Sequence, residues 1–128
     1  MKVIYLASGH GVLDYDNVIY QDLLIDRDLG GDMLDVDLDD YDILIATPPC
    51  NYYSRANYRR DLSDYSLKTK HLLPDIIIKF VNSGKPFIVE NVINGKLMND
   101  IISHFDYYYY NFGRHCYFSN VKLDLRQL

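Results

Sequence analysis

The chain has 128 residues, 48% of them hydrophobic and 24% charged, which suits a single domain over residues 1–128 with a true core and excludes a multidomain enzyme or a disordered tail. No apolar run approaches the roughly 20 residues of a membrane span, and residues 1–6 lead straight into a strand pattern, so a cytoplasmic protein without membrane association is expected. The net charge of −5 is unevenly divided: residues 1–50 hold eleven Asp against Lys2 and Arg27, while residues 51–128 hold seven acids against eleven Lys and Arg, so any polyanion should meet the second half.

In chain order, residues 2–7 predict a buried strand, stopped at Ser8, Gly9, His10 and Gly11, where two glycines permit a tight turn. Residues 18–25 predict a second strand ending at Asp26. Asp35, Asp37, Asp39 and Asp40 read as a solvated acidic turn, with an acidic face that mimics DNA as the sharper alternative. Residues 42–47 predict a third strand, halted by Pro48 and Pro49, since proline cannot continue a ladder. Within residues 67–82 the positions Leu72, Leu73, Ile76, Ile77, Phe80 and Val81 recur at three and four. They predict a helix stopped by Gly84, with Pro74 marking a kink or a late start. Residues 86–90 predict a fourth strand that delivers Glu90 at its carboxyl end. Residues 95–105 predict a short helix, and residues 107–112 and 116–118 a hairpin about Gly113 and Arg114. This succession is that of an α/β domain, in which ligands bind beyond the carboxyl ends of the strands.

The unusual residues sit at those ends. Cys50 follows a buried strand on a stiff double-proline turn, and Arg55, Arg59, Arg60 and Arg114 are available to favour its thiolate. The plainer alternative is a small buried hydrophobe, which is also the reading of Cys116 in the hairpin. The two cysteines stand far apart without CxxC or Cys/His spacing, so neither a disulfide framework nor a metal site is expected. Glu90 is the one Glu among 18 acids.

Residues 46–57, which include Pro48, Pro49, Cys50, Ser54 and Arg55, resemble the Pro-Pro-Cys catalytic loop of DNA cytosine-5 methyltransferases, and Glu90, Asn91 and Val92 resemble their Glu-Asn-Val strand. Less closely, residues 2–11 resemble the first strand and glycine loop of the family's S-adenosylmethionine site, residues 31–33 its adenine-facing acidic segment, and residues 114–118 its late arginine-containing strand. The resemblance implies a Rossmann-like S-adenosylmethionine-dependent methyltransferase fold, in a short form that lacks the target-recognition region and C-terminal motifs. It departs from the family between Gly11 and Asp26, where residues 12–17 are too poor in helix formers for the expected helix, and at Cys116, where a second arginine is often found.

The resemblance further implies methyl transfer from S-adenosylmethionine to carbon 5 of cytosine in DNA. Cys50 would add to carbon 6, Glu90 would serve as the acid at ring nitrogen 3, Asn91 would orient Glu90, and Arg114 would grip the flipped nucleotide. On the cofactor side Ser8, Gly9 and Gly11 would approach the methionine moiety, Asp26 the ribose, Asp32 the adenine amino group, and Pro48 would lie alongside. Plain turn roles remain open for Gly9, Gly11, Asp26 and Asp32. Ser54, Arg55, Arg59 and Arg60 would hold DNA. The partner is DNA, with a second copy or a separate recognition subunit to supply the missing surface. The competing expectation is a catalytically silent relative that acts as a decoy through its acidic half.

Overall fold

A computed structural model describes residues 1–48, 71–92, 108–112 and 115–122. Among them, the strands β1 (Val3–Leu6), β2 (Val18–Tyr20), β3 (Ile43–Ala46), β4 (Phe87–Val92), β5 (Tyr108–Phe112) and β6 (His115–Ser119) form one sheet in the order β2-β1-β3-β4-β6-β5. The first four run parallel, and β6 lies antiparallel between β4 and β5. A helix, α1 (Leu72–Ser83), precedes β4, and a 3-10 turn (Met33–Asp35) lies between β2 and β3. The fold is therefore α/β with a mixed sheet.

Strand pleating explains which face is the core. Leu6, Ala46, Val89 and Phe118 stand in register across β1, β3, β4 and β6, with Ile4, Leu44 and Phe87 in the adjoining row. These side chains share one face because residues two apart on a strand point the same way. Helix α1 lays Leu73, Ile76, Ile77 and Phe80 into the same buried cluster, with the Phe80 and Phe87 rings 5.6 Å apart. Burial of each such side chain contributes on the order of 1.5–3 kcal/mol. On the opposite face Tyr5, Ile45, Ile88, Glu90 and Tyr117 are half-buried.

Two expectations about element ends, those for β2 and β4, are corrected, and the helix takes the later of its two expected starts. β2 stops at Tyr20, well short of Ile25, because the Asp22 side chain accepts the backbone N–H groups of Leu24 and Ile25 at 2.9 and 3.0 Å and curls the chain out of the ladder. Helix α1 starts at Leu72. Of the kink and the late start that Pro74 allowed, the late start is found: Pro74 falls in the first turn, where an N–H would have no helical partner. β4 continues to Val92, so Glu90 lies within the strand and not at its end. The stop at Gly84 is as expected, with φ 72° and its N–H donated to the Val81 carbonyl at 3.2 Å. Residues 7–17, which join β1 to β2, hold no helix, in line with their composition. The helix expected over residues 95–105 and the turn at Gly113 and Arg114 lie outside the described residues.

The acidic segment is fastened by two lysines, one on the helix and one just past its end. Lys79 Nζ donates to the carbonyls of Leu34 and Val36, each at 2.6 Å, and Lys85 Nζ donates to those of Leu38 and Asp39. Burial pushes the Lys79 ammonium below its ordinary value, while Asp35, Asp37 and Asp32 act to hold it up. The carboxylates of Asp35, Asp37, Asp39 and Asp40 remain exposed.

Candidate functional site

The sheet order reverses at β1: the chain leaves it to one side for β2 and returns past it to β3. A crevice at such a point, beyond the carboxyl ends of the strands, is where open α/β sheets bind ligands. Ala7, directly after β1, lies at that point with φ 51°, the one non-glycine residue with positive φ among those described. Left-handed backbone is costly for a side-chain-bearing residue and persists where its surroundings over-determine it. Here the Ala7 N–H donates to Gln21 Oε1 at 2.9 Å, and its carbonyl accepts from Thr47 Oγ1 at 2.8 Å.

Gln21 is 1% exposed and joins three segments. Its backbone N–H donates to the Tyr5 carbonyl, its own carbonyl accepts from Ser8, and its Nε2 donates to the Gly31 carbonyl at 2.5 Å. The glycine loop and the chain before Asp32 are thereby set by one side chain. Gly9, with φ 55°, donates its N–H to Asp22 Oδ2 at 2.8 Å. Arg27 closes the loop from the other side: it donates to the carbonyls of Gly9 at 2.6 Å and Gly11 at 3.2 Å and stacks 4.1 Å over the Tyr20 ring. These clamps on the glycine loop come from the segment after β2. At Gly11 a Cβ would come within 3.0 Å of both the Ser8 carbonyl oxygen and the Tyr5 hydroxyl, so the turn needs glycine there.

Burial works to raise the Asp22 carboxyl, but the N–H groups of Leu24, Gly9 and Ile25, together with Arg27, outweigh it and hold the group below its ordinary value of 3.8. A lowered acid contributes its tie above the unfolded value and loses it only as pH falls through the folded one, so this loop is fastened throughout the neutral range. Asp22 follows β2 closely and is half-buried, whereas Asp26 lies further on and is exposed. Asp32 caps the 3-10 turn through Oδ1, which accepts the Leu34 N–H at 2.9 Å, and borders an open hollow with Gly30, Gly31 and Tyr41.

The second half of the site lies on β4 and β6. Glu90 projects from the half-buried face and is paired with His115, Nδ1 to Oε1 at 3.1 Å. Asn91, one residue on, points to the other face, is 3% exposed, and donates its Nδ2 to the Pro48 carbonyl at 3.3 Å. The amide expected to orient Glu90 thus donates to the backbone just after β3, on the face opposite Glu90, because neighbouring strand residues face opposite ways. Pro48 itself is buried. Cys50, Ser54, Arg55, Arg59, Arg60 and Arg114 lie outside the described residues.

Cys116 belongs to the core. It is fully buried, and burial pushes its thiol from 9.0 to about 11, against hydrogen bonds from Tyr109 and the Asn91 backbone that act to lower it. A thiol in that state is a poor nucleophile. Native protein treated with iodoacetamide at neutral pH is expected to leave Cys116 unmodified, and peptide mass mapping that finds it alkylated before unfolding would contradict its place in the core. Gln21, Asp22, Arg27 and His115 were not foreseen as site residues. The available signals were a polar residue breaking the apolar run at Gln21 and an isolated cation at Arg27 in so acidic a half.

Among the described residues no three His, Cys, Asp or Glu are grouped to hold a metal, and no helix is long and apolar enough to cross a membrane. The family model for C-5 cytosine-specific DNA methylase matches residues 18–117. No curated protein matches the chain.

Proposed function

The chain belongs to the C-5 cytosine-specific DNA methylase family, and from that premise we propose that it transfers a methyl group from S-adenosylmethionine to carbon 5 of cytosine in DNA through a covalent adduct at Cys50. The observation that carries this reading is the bond from Asn91 to the Pro48 carbonyl. It joins the backbone at Pro48, two residues before Cys50 in the sequence, with the strand that bears Glu90, at the same end of the sheet as the glycine loop. The strand order, reversing at β1 and ending in an antiparallel β6 between β4 and β5, supports a Rossmann-like methyltransferase fold of small size.

The residues present fit the cofactor. At Gly9 and Gly31 a Cβ would meet nothing within 4 Å, so the backbone there stands clear of the protein. Ser8, Gly9 and Gly11 would hold the methionine moiety, with Pro48 alongside. A carboxylate after β2 suits a ribose diol, and Asp22 supplies it in preference to Asp26. Asp32 would accept from the adenine amino group. When bound, S-adenosylmethionine supplies the electrophilic methyl group that carbon 5 takes. Replacing Gln21 by Leu would strip the Ala7 N–H and the Gly31 carbonyl of partners, at a cost of about 1–3 kcal/mol. Calorimetry should then show S-adenosylmethionine binding weakened roughly tenfold to hundredfold. Unaltered affinity in a folded Gln21→Leu protein would remove Gln21 from the cofactor site.

The protein's own groups do the rest. The Cys50 thiolate adds to carbon 6 of the base, and Glu90 gives a proton to ring nitrogen 3 as that bond forms, which makes carbon 5 nucleophilic. Loss of the carbon 5 proton after methylation expels Cys50. The base must leave the duplex to reach this pocket, and Ser54, Arg55, Arg59 and Arg60 are placed by sequence to grip the strand and Arg114 the flipped nucleotide. A second copy or a separate subunit would add recognition surface. The exposed carboxylates of Asp35, Asp37, Asp39 and Asp40 favour a second reading, a silent DNA mimic. Calorimetric binding of S-adenosylmethionine, together with methylation of cytosine-containing DNA, tests the first reading against it.

A further inference from the structure

We propose that His115 holds the proton that Glu90 delivers to the cytosine ring, so that the two side chains act as one proton-carrying couple; this rests on the methyl-transfer reading above. The antiparallel register pairs Glu90 with Tyr117 and Val92 with His115. His115 therefore projects on the same face as Glu90, one diagonal step along the ladder, and its Nδ1 lies 3.1 Å from Glu90 Oε1. The two side chains are 49% and 34% exposed, whereas Asn91 and Cys116 on the other face are buried.

In this couple a proton on His115 Nδ1 is directed at the Glu90 carboxylate. A carboxylate alone can only accept a hydrogen bond and has nothing to give to ring nitrogen 3. With His115 in place the proton has a source. As the Cys50 sulfur forms its bond to carbon 6, the carbon 5–carbon 6 π pair moves to carbon 4–carbon 5, and the carbon 4–nitrogen 3 π pair passes to nitrogen 3. Nitrogen 3 takes the proton from Glu90, and Glu90 takes the Nδ1 proton, leaving neutral imidazole. When carbon 5 takes the methyl group the carbon 4–nitrogen 3 double bond returns; the carbon 5 proton is then lost to solvent water, its bonding pair forms the carbon 5–carbon 6 double bond, the sulfur–carbon bond breaks, and the nitrogen 3 proton goes back through Glu90 to His115. No external acid is consumed.

The other titratable group facing the couple from β6 is Tyr117. Burial first, and then the Glu90 charge, push its phenol above the ordinary value of 10.0, so at neutral pH it stays protonated and is a weak acid. Tyr110 is its partner on β5. His115 is a positioning residue in this scheme, since it acts through Glu90.

An ion pair this exposed adds little to stability, so the effect must be read in the rate. In His115→Asn the amide keeps a donor near the position of Nδ1 but has no proton to release. The turnover number for methyl transfer should fall roughly tenfold to hundredfold, with the KM for DNA, the affinity for S-adenosylmethionine and the melting temperature unchanged. Adding His115→Asn to Glu90→Gln should slow the enzyme no further, because the two act as a unit. His115→Arg keeps the charge but holds its protons too tightly to lend one, and should be as slow as the Asn variant. An Arg variant at the parent rate would show that charge alone is needed and overturn the proton-holding role, as would an Asn variant at the parent rate. A parent protein that neither methylates DNA nor forms an adduct with 5-fluorocytosine DNA would instead overturn the methyl-transfer reading and the couple with it.

Discussion

DNA carrying 5-fluorocytosine is expected to arrest on the protein as a covalent adduct through Cys50, and Cys50→Ala is expected to form none. The fluorine cannot leave carbon 5 as a proton does, so the sulfur–carbon bond made at carbon 6 has no route to break. Methyl transfer by Cys50→Ala should fall by roughly 10⁴-fold or more, the scale seen when a nucleophile that works as a unit with its acid is removed. The structure narrows the assignment by what it says of the other thiol. Cys116 is closed off in the core and raised to about 11, so its thiolate is scarce at neutral pH. An adduct mapped to Cys116, or one that persists in Cys50→Ala, would sink the covalent assignment. S-adenosylmethionine binding should survive the substitution, since the glycine loop is set by Gln21, Asp22 and Arg27, none of which depends on the thiol.

The parallel half of the sheet is legible in the sequence because its strands are short apolar runs bounded by residues that cannot extend them, Gly9 after β1 and Pro48 after β3. Helix α1 is legible from the spacing of Leu73, Ile76, Ile77 and Phe80, all of which are buried. The end of β2 is not. Leu23, Leu24 and Ile25 continue the apolar run, yet Leu23 and Leu24 are 68% and 79% exposed. The deciding interaction is a carboxylate competing locally for backbone N–H groups, which hydrophobicity does not register. Pro74 leaves a choice between a kink and a late start, and the late start is found, since its meaning depends on where the first helical turn falls.

The site divides along the same line. Pro48, Glu90 and Asn91 are legible because contiguous blocks of residues announce them. Their mutual arrangement is less so: the pleat sends Glu90 and Asn91 to opposite faces, and the Asn91 amide to the Pro48 carbonyl. Gln21, Arg27 and His115 act on residues brought near by the sheet, so the local signals at Gln21 and Arg27 do not say what they hold, and none marks His115. In the first half, the left-handed Ala7 held by Gln21 and Thr47 is the physical sign of a built loop, and that sign is a backbone dihedral with two hydrogen bonds to distant side chains.

Replacement of Glu90 by Gln should depress methyl transfer by roughly 10²–10⁴-fold while leaving S-adenosylmethionine binding close to the parent value. The substitution keeps the shape of the side chain and supplies an N–H donor in place of the carboxyl, so a loss cannot be assigned to a cavity. What disappears is the ability to pass a proton to ring nitrogen 3 and to take it back. The structural alternative is that Glu90 serves only to tie β4 to β6 through His115. Both side chains of that pair are substantially solvated, so the tie is worth at most about 1 kcal/mol, and a neutral hydrogen bond from Gln would replace much of it. The two roles therefore separate cleanly in an experiment that measures the melting temperature, cofactor affinity and single-turnover methylation on the same preparation. A rate near that of the parent would remove Glu90 from the chemistry. Equal inactivity of parent and variant on every DNA, with the exposed carboxylates of residues 35–40 competing for DNA-binding proteins, would instead identify the acidic half as the working surface. A large fall in rate with melting and cofactor binding preserved is the expected result, and it would locate the defect at the proton that Glu90 and His115 share.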